Sequence, residues 1–133
     1  MPLTKMSPLL QKAANEGYAV GSFSVANMEM VLVVLKSVEE TESPAIIQIA
    51  EVRLKQSPLE VIGPLMVAAA KNCKTPVAVH FDHGKTEEKI TEALELGFTR
   101  VMFDGSHLPF EQNAAETARI NSIAKRFNAD CEG

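Results

Sequence analysis

No apolar run in this 133-residue chain approaches the roughly 20 residues that a membrane span requires, so no membrane partner is expected. The N-terminal Met1-Pro2-Leu3-Thr4-Lys5 lacks the long apolar segment of a secretory signal, and a cytoplasmic location is the expectation. Basic residues are few. Thirteen Lys and Arg stand against 17 Asp and Glu, the net charge is −4, and no basic patch or run is present. That balance argues against nucleic acid and anionic membranes as partners. Cysteine is scarce too: Cys73 and Cys131 lie far apart with no CxxC pair, which reads as two free thiols and not a disulfide or zinc-thiolate site. There is no low-complexity segment, no linker and no residue-level repeat. The length suits one domain, and 46% hydrophobic with 23% charged residues is an ordinary globular balance.

What is present is a rhythm. Residues ~5–16 read as a helix with Met6, Leu9, Leu10 and Ala13 on one side, stopped by Gly17. Tyr18 to Val25 reads as a strand. Asn27 can cap a helix whose stripe is Val31, Val34, Leu35 and Val38. Ser43-Pro44 launches the strand Ala45–Ala50, and the polar residues 51–57 read as a loop. Ser57-Pro58 reads as cap and first position of a helix striped with Ile62, Leu65, Met66, Ala69 and Ala70. Gly63 and Pro64 are awkward inside that helix. Thr75-Pro76 leads into a central strand. Thr86 caps a helix that turns Ile90, Ala93 and Leu94 inward and ends at Gly97. Arg100–Phe103 reads as a fourth strand. Pro109 starts a helix with Ile120, Ile123, Ala124 and Phe127 inward, and Ala129–Gly133 would begin a fifth strand. The methionines read as core filler.

Strand starts near 18, 45, 77, 100 and 129 give a strand-helix unit every ~23–32 residues, the spacing of βαβ units around a parallel sheet. Four units and a strand start make half of an eight-fold barrel, which typically takes ~250 residues. Length alone would favour an open, flavodoxin-like sheet. Against that, no GxGxxG loop follows the first strand. The stop inside an apparent strand suggests a truncated chain.

The chemistry concentrates in Val77-Ala78-Val79-His80-Phe81-Asp82-His83-Gly84. An apolar strand that ends in two imidazoles and a carboxylate matches an α/β active site, where function sits at the carboxyl ends of parallel strands. In a regular strand His80 and Asp82 share one face, and Phe81 and His83 the other. Asp82 and His83 can therefore serve one site only if the strand ends there and a turn at Gly84 redirects His83. Neutral imidazole is a good zinc ligand, and a carboxylate beside a metal can move protons on a bound substrate.

Taken together, His80-Phe81-Asp82-His83-Gly84 and Asp104-Gly105-Ser106-His107-Leu108-Pro109-Phe110-Glu111-Gln112-Asn113 resemble the signatures of class II, metal-dependent ketose-bisphosphate aldolases, in particular the fructose/tagatose-bisphosphate group. Phe23, Asn27-Met28-Glu29, Ser43-Pro44 and Gly97-Phe98 extend the resemblance through nearly the whole chain. It implies a (β/α)8 TIM barrel of which residues 1–133 are the N-terminal half of a single domain. It also implies cleavage or formation of a carbon–carbon bond in a ketose (bis)phosphate through a zinc-stabilised enediolate.

By the same resemblance His83 is one of three histidine ligands to Zn2+. Asp82 is the catalytic proton donor and acceptor. Asp104 matches an acidic position that can hold a second mono- or divalent cation, and Glu132 begins an E-x-E strand near the metal. The other two zinc histidines and the phosphate site belong to the family's second half, so this chain alone is expected to bind zinc poorly and to be inactive. Two departures bear on the substrate: Ser24 stands where the family usually has Asn, and Arg53 lies in a charged loop after the second strand. Both become candidate substrate-binding residues, Arg53 toward a phosphate or carboxylate. The plain reading of Arg53 and Lys85 is solvated charge. His80 reads as packed behind the site, and His107 as a brace for the Asp104 loop.

The expected partners are a phosphorylated sugar and further copies of the chain, in a dimer or tetramer. The alternative reading is an inactive half-barrel, a binding or regulatory protein that assembles with a partner or with itself, since half a barrel exposes sheet edges and an apolar inner face.

Overall fold

The computed structural model describes residues 3–133. The elements alternate along the chain: α1 (Met6–Glu16), β1 (Gly21–Ser24), α2 (Met28–Glu40), β2 (Ala45–Ala50), a 3-10 turn (Glu51–Lys55), α3 (Leu59–Asn72), β3 (Val77–Gly84), α4 (Glu87–Glu95), β4 (Arg100–Phe103), α5 (Phe110–Arg126) and β5 (Asp130–Glu132). All five strands run parallel in the order β1-β2-β3-β4-β5. Each strand lies beside its sequence neighbour, as in a (β/α) barrel. A doubly wound sheet would reverse direction at a switch point, and none occurs here. Among the described residues no helix is long and apolar enough to cross a membrane.

The two faces of the sheet differ. On one face Ile47, Ile49, Val79, Phe81 and Val101 are fully buried and pack against Val31 of α2, Met66 of α3, Ile90 of α4 and Ile120 of α5. The helices take this arrangement because their apolar residues recur every three or four positions and must be covered. The opposite face carries a small apolar patch at its amino end, where Met6 and Leu9 of α1 cover Ile46 and Ala78. Toward the carboxyl ends it turns polar. Strand pairing aligns Ser24, Gln48, His80, Arg100 and Asp130 in one row across all five strands.

Several local expectations hold. Gly17 closes α1 at φ 75°, Asn27 accepts a hydrogen bond from Met30 N, and Thr86 accepts one from Lys89 N. Others are corrected. The first strand is Gly21–Ser24, shorter than Tyr18–Val25, and it is an exposed sheet edge that pairs on one side only. Residues 51–55 form a 3-10 turn and not an irregular loop. Ser57 does not cap α3; Pro58 takes that position, while the Ser57 hydroxyl donates to Ala26 O and ties the turn to the end of β1. Pro64 sits inside a continuous α3, and Gly63 lets Leu96 and Phe98 pack against the helix. Leu10 and Phe127 are exposed and not inward, as are Met28 and Met30. Phe127 ends α5, where the chain leaves the helical stripe.

The central strand differs most. It runs through Gly84, and the backbone turns one residue earlier than expected: His83, not Gly84, adopts a positive φ, of 50°. Between the pairs Phe81↔Val101 and Gly84↔Phe103, three residues of β3 advance against two of β4, which is a β-bulge. Gly84 is needed for a different reason. A Cβ there would lie 2.6 Å from Ile90 Cγ1 and 2.8 Å from the Met102 carbonyl oxygen. Because one of those atoms is backbone, Gly84→Ala is expected to destabilise the fold by about 1–3 kcal/mol. Urea denaturation of the variant checks this, and an unchanged midpoint would show that α4 moves aside freely.

Candidate active site

The bulge gathers the ionisable groups. With His83 rotated out of strand alternation, its Nε2 lies 3.8 Å from Asp82 Oδ2, although a regular strand would send the two side chains to opposite faces. Asp82 is mostly buried, with its side chain 17% exposed, whereas His83 is 54% exposed. The site thus presents a sheltered carboxylate beside an accessible imidazole.

Asp104, at the end of β4, holds His83. Its Oδ2 lies 2.7 Å from His83 Nδ1, and its Oδ1 accepts hydrogen bonds from Ser106 N (3.1 Å) and Ser106 Oγ (2.6 Å). Donation from the Ser106 hydroxyl, then from His83, holds the Asp104 carboxyl well below the usual carboxylate range. In return the hydrogen bond to Asp104, and next the charge of Asp82, raise the His83 pKa above its ordinary value. An ionised Asp104 accepts the Nδ1 proton, which leaves Nε2 as the free lone pair of the neutral ring, the atom that would meet a metal. Ser106, not His107, braces this loop; His107 is exposed.

Behind Asp82 the polar row closes in. Gln48 Nε2 donates to Asp82 Oδ2 (3.1 Å) and to Ser24 Oγ (3.1 Å), and Ser22 Oγ donates to Gln48 Oε1 (2.6 Å). His80 is 2% exposed, with Nε2 3.6 Å from Asp82 Oδ1 and 3.9 Å from Glu132 Oε2. Burial pushes the His80 imidazolium toward deprotonation, against the opposite pull of the Asp82 and Glu132 charges. Glu132 is ion-paired with Arg100 NH2 at 3.2 Å.

Asp82, His83 and Asp104 therefore meet. Ser24 joins them through Gln48, and Glu132 through His80. Arg53 stands apart, exposed on the 3-10 turn with no ion-pair partner among the described residues. In that turn it is Glu51 that reaches β3, accepting from Lys85 N just past the end of the strand at 2.6 Å. Gln48 and Ser22 are site residues that sequence reading missed. The available signal was a lone amide inside Ala45-Ile46-Ile47-Gln48-Ile49-Ala50, since a polar side chain in a covered strand must find partners.

The His83–Asp104 pair has a pH window. A raised histidine pKa contributes stability that is complete below the unfolded value, 6.5, and fades as pH rises through the folded one. A lowered carboxyl contributes stability that is complete above its unfolded value, 3.8, and fades in stronger acid. Both contributions are complete between those two values. In the metal-free protein the His83 ring should titrate above 6.5, and Asp104→Asn should bring it back toward 6.5. Proton NMR of the imidazole Cε1–H reads both, and an unmoved midpoint in Asp104→Asn would break the assignment.

The chain is similar to known proteins along nearly its whole length. The family model for fructose-bisphosphate aldolase class-II matches residues 4–133. A fructose-bisphosphate aldolase of Thermus caldophilus is 43% identical over 124 residues, covering 93% of this chain and 40% of that protein. A sulfofructosephosphate aldolase of Alkalicoccus urumqiensis is 38% identical over 125 residues, 94% of this chain and 44% of that one. The crystal structure of the YdjI aldolase from Escherichia coli K12 superposes with a TM-score of 0.93 at 29% identity, over 97% of this chain and 50% of the other. The chain spans half or less of the length of these relatives. With a matching family model over nearly its whole length, the chain belongs to the class II fructose-bisphosphate aldolase family.

Proposed function

We propose that residues 1–133 are the N-terminal half of a single aldolase barrel, and that they carry its acid/base carboxylate, Asp82, and one imidazole ligand, His83, of a catalytic metal. The substrate class is a phosphorylated ketose. The observation that carries the reading is the bulge at His83, which brings Nε2 within 3.8 Å of Asp82 Oδ2 beside an open face. The sequential strand order and the 40–50% coverage of relatives support the half-barrel assignment.

Among the described residues no cluster of three His, Cys, Asp or Glu side chains could hold an ion. What fits is one position, an exposed Nε2 whose ring is oriented by a carboxylate at Nδ1, as metal-bound histidines commonly are. When bound, a divalent metal there would supply Lewis acidity toward the ketose carbonyl.

The chain's own residues do the rest. In cleavage Asp82 takes the proton from the hydroxyl on the carbon that becomes the aldehyde. The electron pair of the broken carbon–carbon bond is drawn toward the neighbouring ketone carbonyl. In synthesis Asp82 returns the proton. Its mostly buried setting limits competition from water, which strengthens a general base toward substrate. Ser24 Oγ accepts from Gln48, so its own proton remains to donate to substrate. Arg53, exposed and apart from the Asp82–His83–Asp104 group, would meet an anionic group of the substrate away from the reacting carbons.

The test uses the whole gene product that carries these residues, assayed with ketose bisphosphates. Asp82→Asn should lower kcat by about 10²–10⁴-fold while bound metal, measured by elemental analysis, is retained; His83→Ala should lose the metal. Activity of Asp82→Asn within tenfold of the parent would remove Asp82 from the chemistry. The purified 133-residue chain should show no aldol cleavage with added zinc, and measurable turnover would refute the need for further ligands.

A further inference from the structure

We propose that Gln48 is the positioning residue of Asp82, and that Ser22 braces the Gln48 side chain. This rests on the reading of Asp82 as the acid/base group. Gln48 is the polar residue in a strand of five apolar ones, and strand pairing puts it opposite His80 and two residues short of the Asp82 level. Its side chain is half-buried, and both ends of its amide are paired within the protein.

The pairing also decides which way the amide faces. Ser22 Oγ lies 2.6 Å from Oε1 and donates to it. The NH2 group then points at Ser24 Oγ and Asp82 Oδ2, each at 3.1 Å. The flipped amide would set Oε1 against the Asp82 carboxylate, which when ionised has only acceptors, and the contact would be repulsive. The Asp82 carboxylate therefore selects the orientation, and the Ser22 hydroxyl, which can donate or accept, supports it by donating to Oε1. Among the described residues the Gln48 amide is the one side chain within hydrogen-bond distance of the Asp82 carboxylate; His80 Nε2, at 3.6 Å, is too far. The consequence is a carboxylate fixed at Oδ2, the oxygen nearest His83, so that its orientation is set before it exchanges a proton with substrate. Ser24 and Gln48 then differ in kind, one facing substrate and the other acting through Asp82.

The test is a split between kcat and KM in the whole gene product, with bound metal measured for every variant. Gln48→Met keeps the length and removes the donor. It should lower kcat about 10–100-fold, the size expected for one hydrogen bond to a charged group, with KM changed less than about twofold. Ser22→Ala should lower kcat in the same direction by less, and Ser22→Thr, which keeps the hydroxyl, should restore it. A KM raised tenfold with kcat kept in Gln48→Met, or Ser22→Ala kinetics equal to the parent, would overturn the proposal.

A second readout does not depend on activity. In the metal-free protein the side-chain NH2 protons of Gln48 should exchange slowly with water by NMR, and Asp82→Ala should speed that exchange. Exchange unaffected by Asp82→Ala would show that the bond is not formed. If the parent protein cleaves no ketose bisphosphate, the reading of Asp82 as acid/base fails, and this exchange still decides whether Gln48 holds the carboxylate.

Discussion

His83 holds a backbone conformation with φ 50° that a residue bearing a side chain adopts only at a cost of about 1–3 kcal/mol. Three features of Asp104 and Gly84 over-determine it. Asp104 takes the imidazole at Nδ1, Gly84 leaves no Cβ between Ile90 and the Met102 carbonyl, and Asp104 N donates to Gly84 O at 2.8 Å. Without that turn, His83 would point among the helices with Phe81 and leave Asp82 alone on the polar face. The candidate site is thus a consequence of one extra residue in β3, held by the packing of β4 and α4.

The sheet around it is asymmetric for a physical reason. Helices α2–α5 cover one face except at the β1 edge, where Phe23 is exposed, so that face is Val, Ile and Phe. The other face is covered only at its amino end by α1, whose Ser7 N–H donates to Asp130 Oδ2 from β5. Beyond that cap the row Ser24, Gln48, His80 and Arg100 has no apolar partner layer and is paired sideways in part, with His80 Nδ1 and Arg100 Nε buried and unpaired among the described residues. Ser22 and Ser24 bond Gln48, Gln48 bonds Asp82, and Arg100 pairs with Glu132. Cross-strand hydrogen bonding of this kind rigidifies the side chains that take part.

Much of this was legible in the residues. Parallel β/α units follow from apolar strands spaced by helix-period segments, and the caps at Asn27 and Thr86 and the stop at Gly17 follow from local chemistry. The grouping of Asp82, His83 and Asp104 followed from two short motifs and a family resemblance. What sequence reading misplaced were positions whose role depends on a distant partner. Ser57 looks like a cap and instead bonds Ala26, Phe127 looks like core and ends a helix in solvent, and Gln48 looks like an ordinary interruption of a strand.

The amino-acid sequence by itself determined the element order, the buried stripes and the chemical types available, because periodicity, capping and turn propensity act over a few residues. The tertiary structure decided that the strands lie in sequential order, that the turn falls on His83 and not on Gly84, and that an amide from β2 holds a carboxylate from β3. Those outcomes depend on strand register and on contacts between residues 20–34 positions apart, such as His83 with Asp104 and Gln48 with Asp82. No local propensity encodes such pairings; they are set when the sheet closes against its helices.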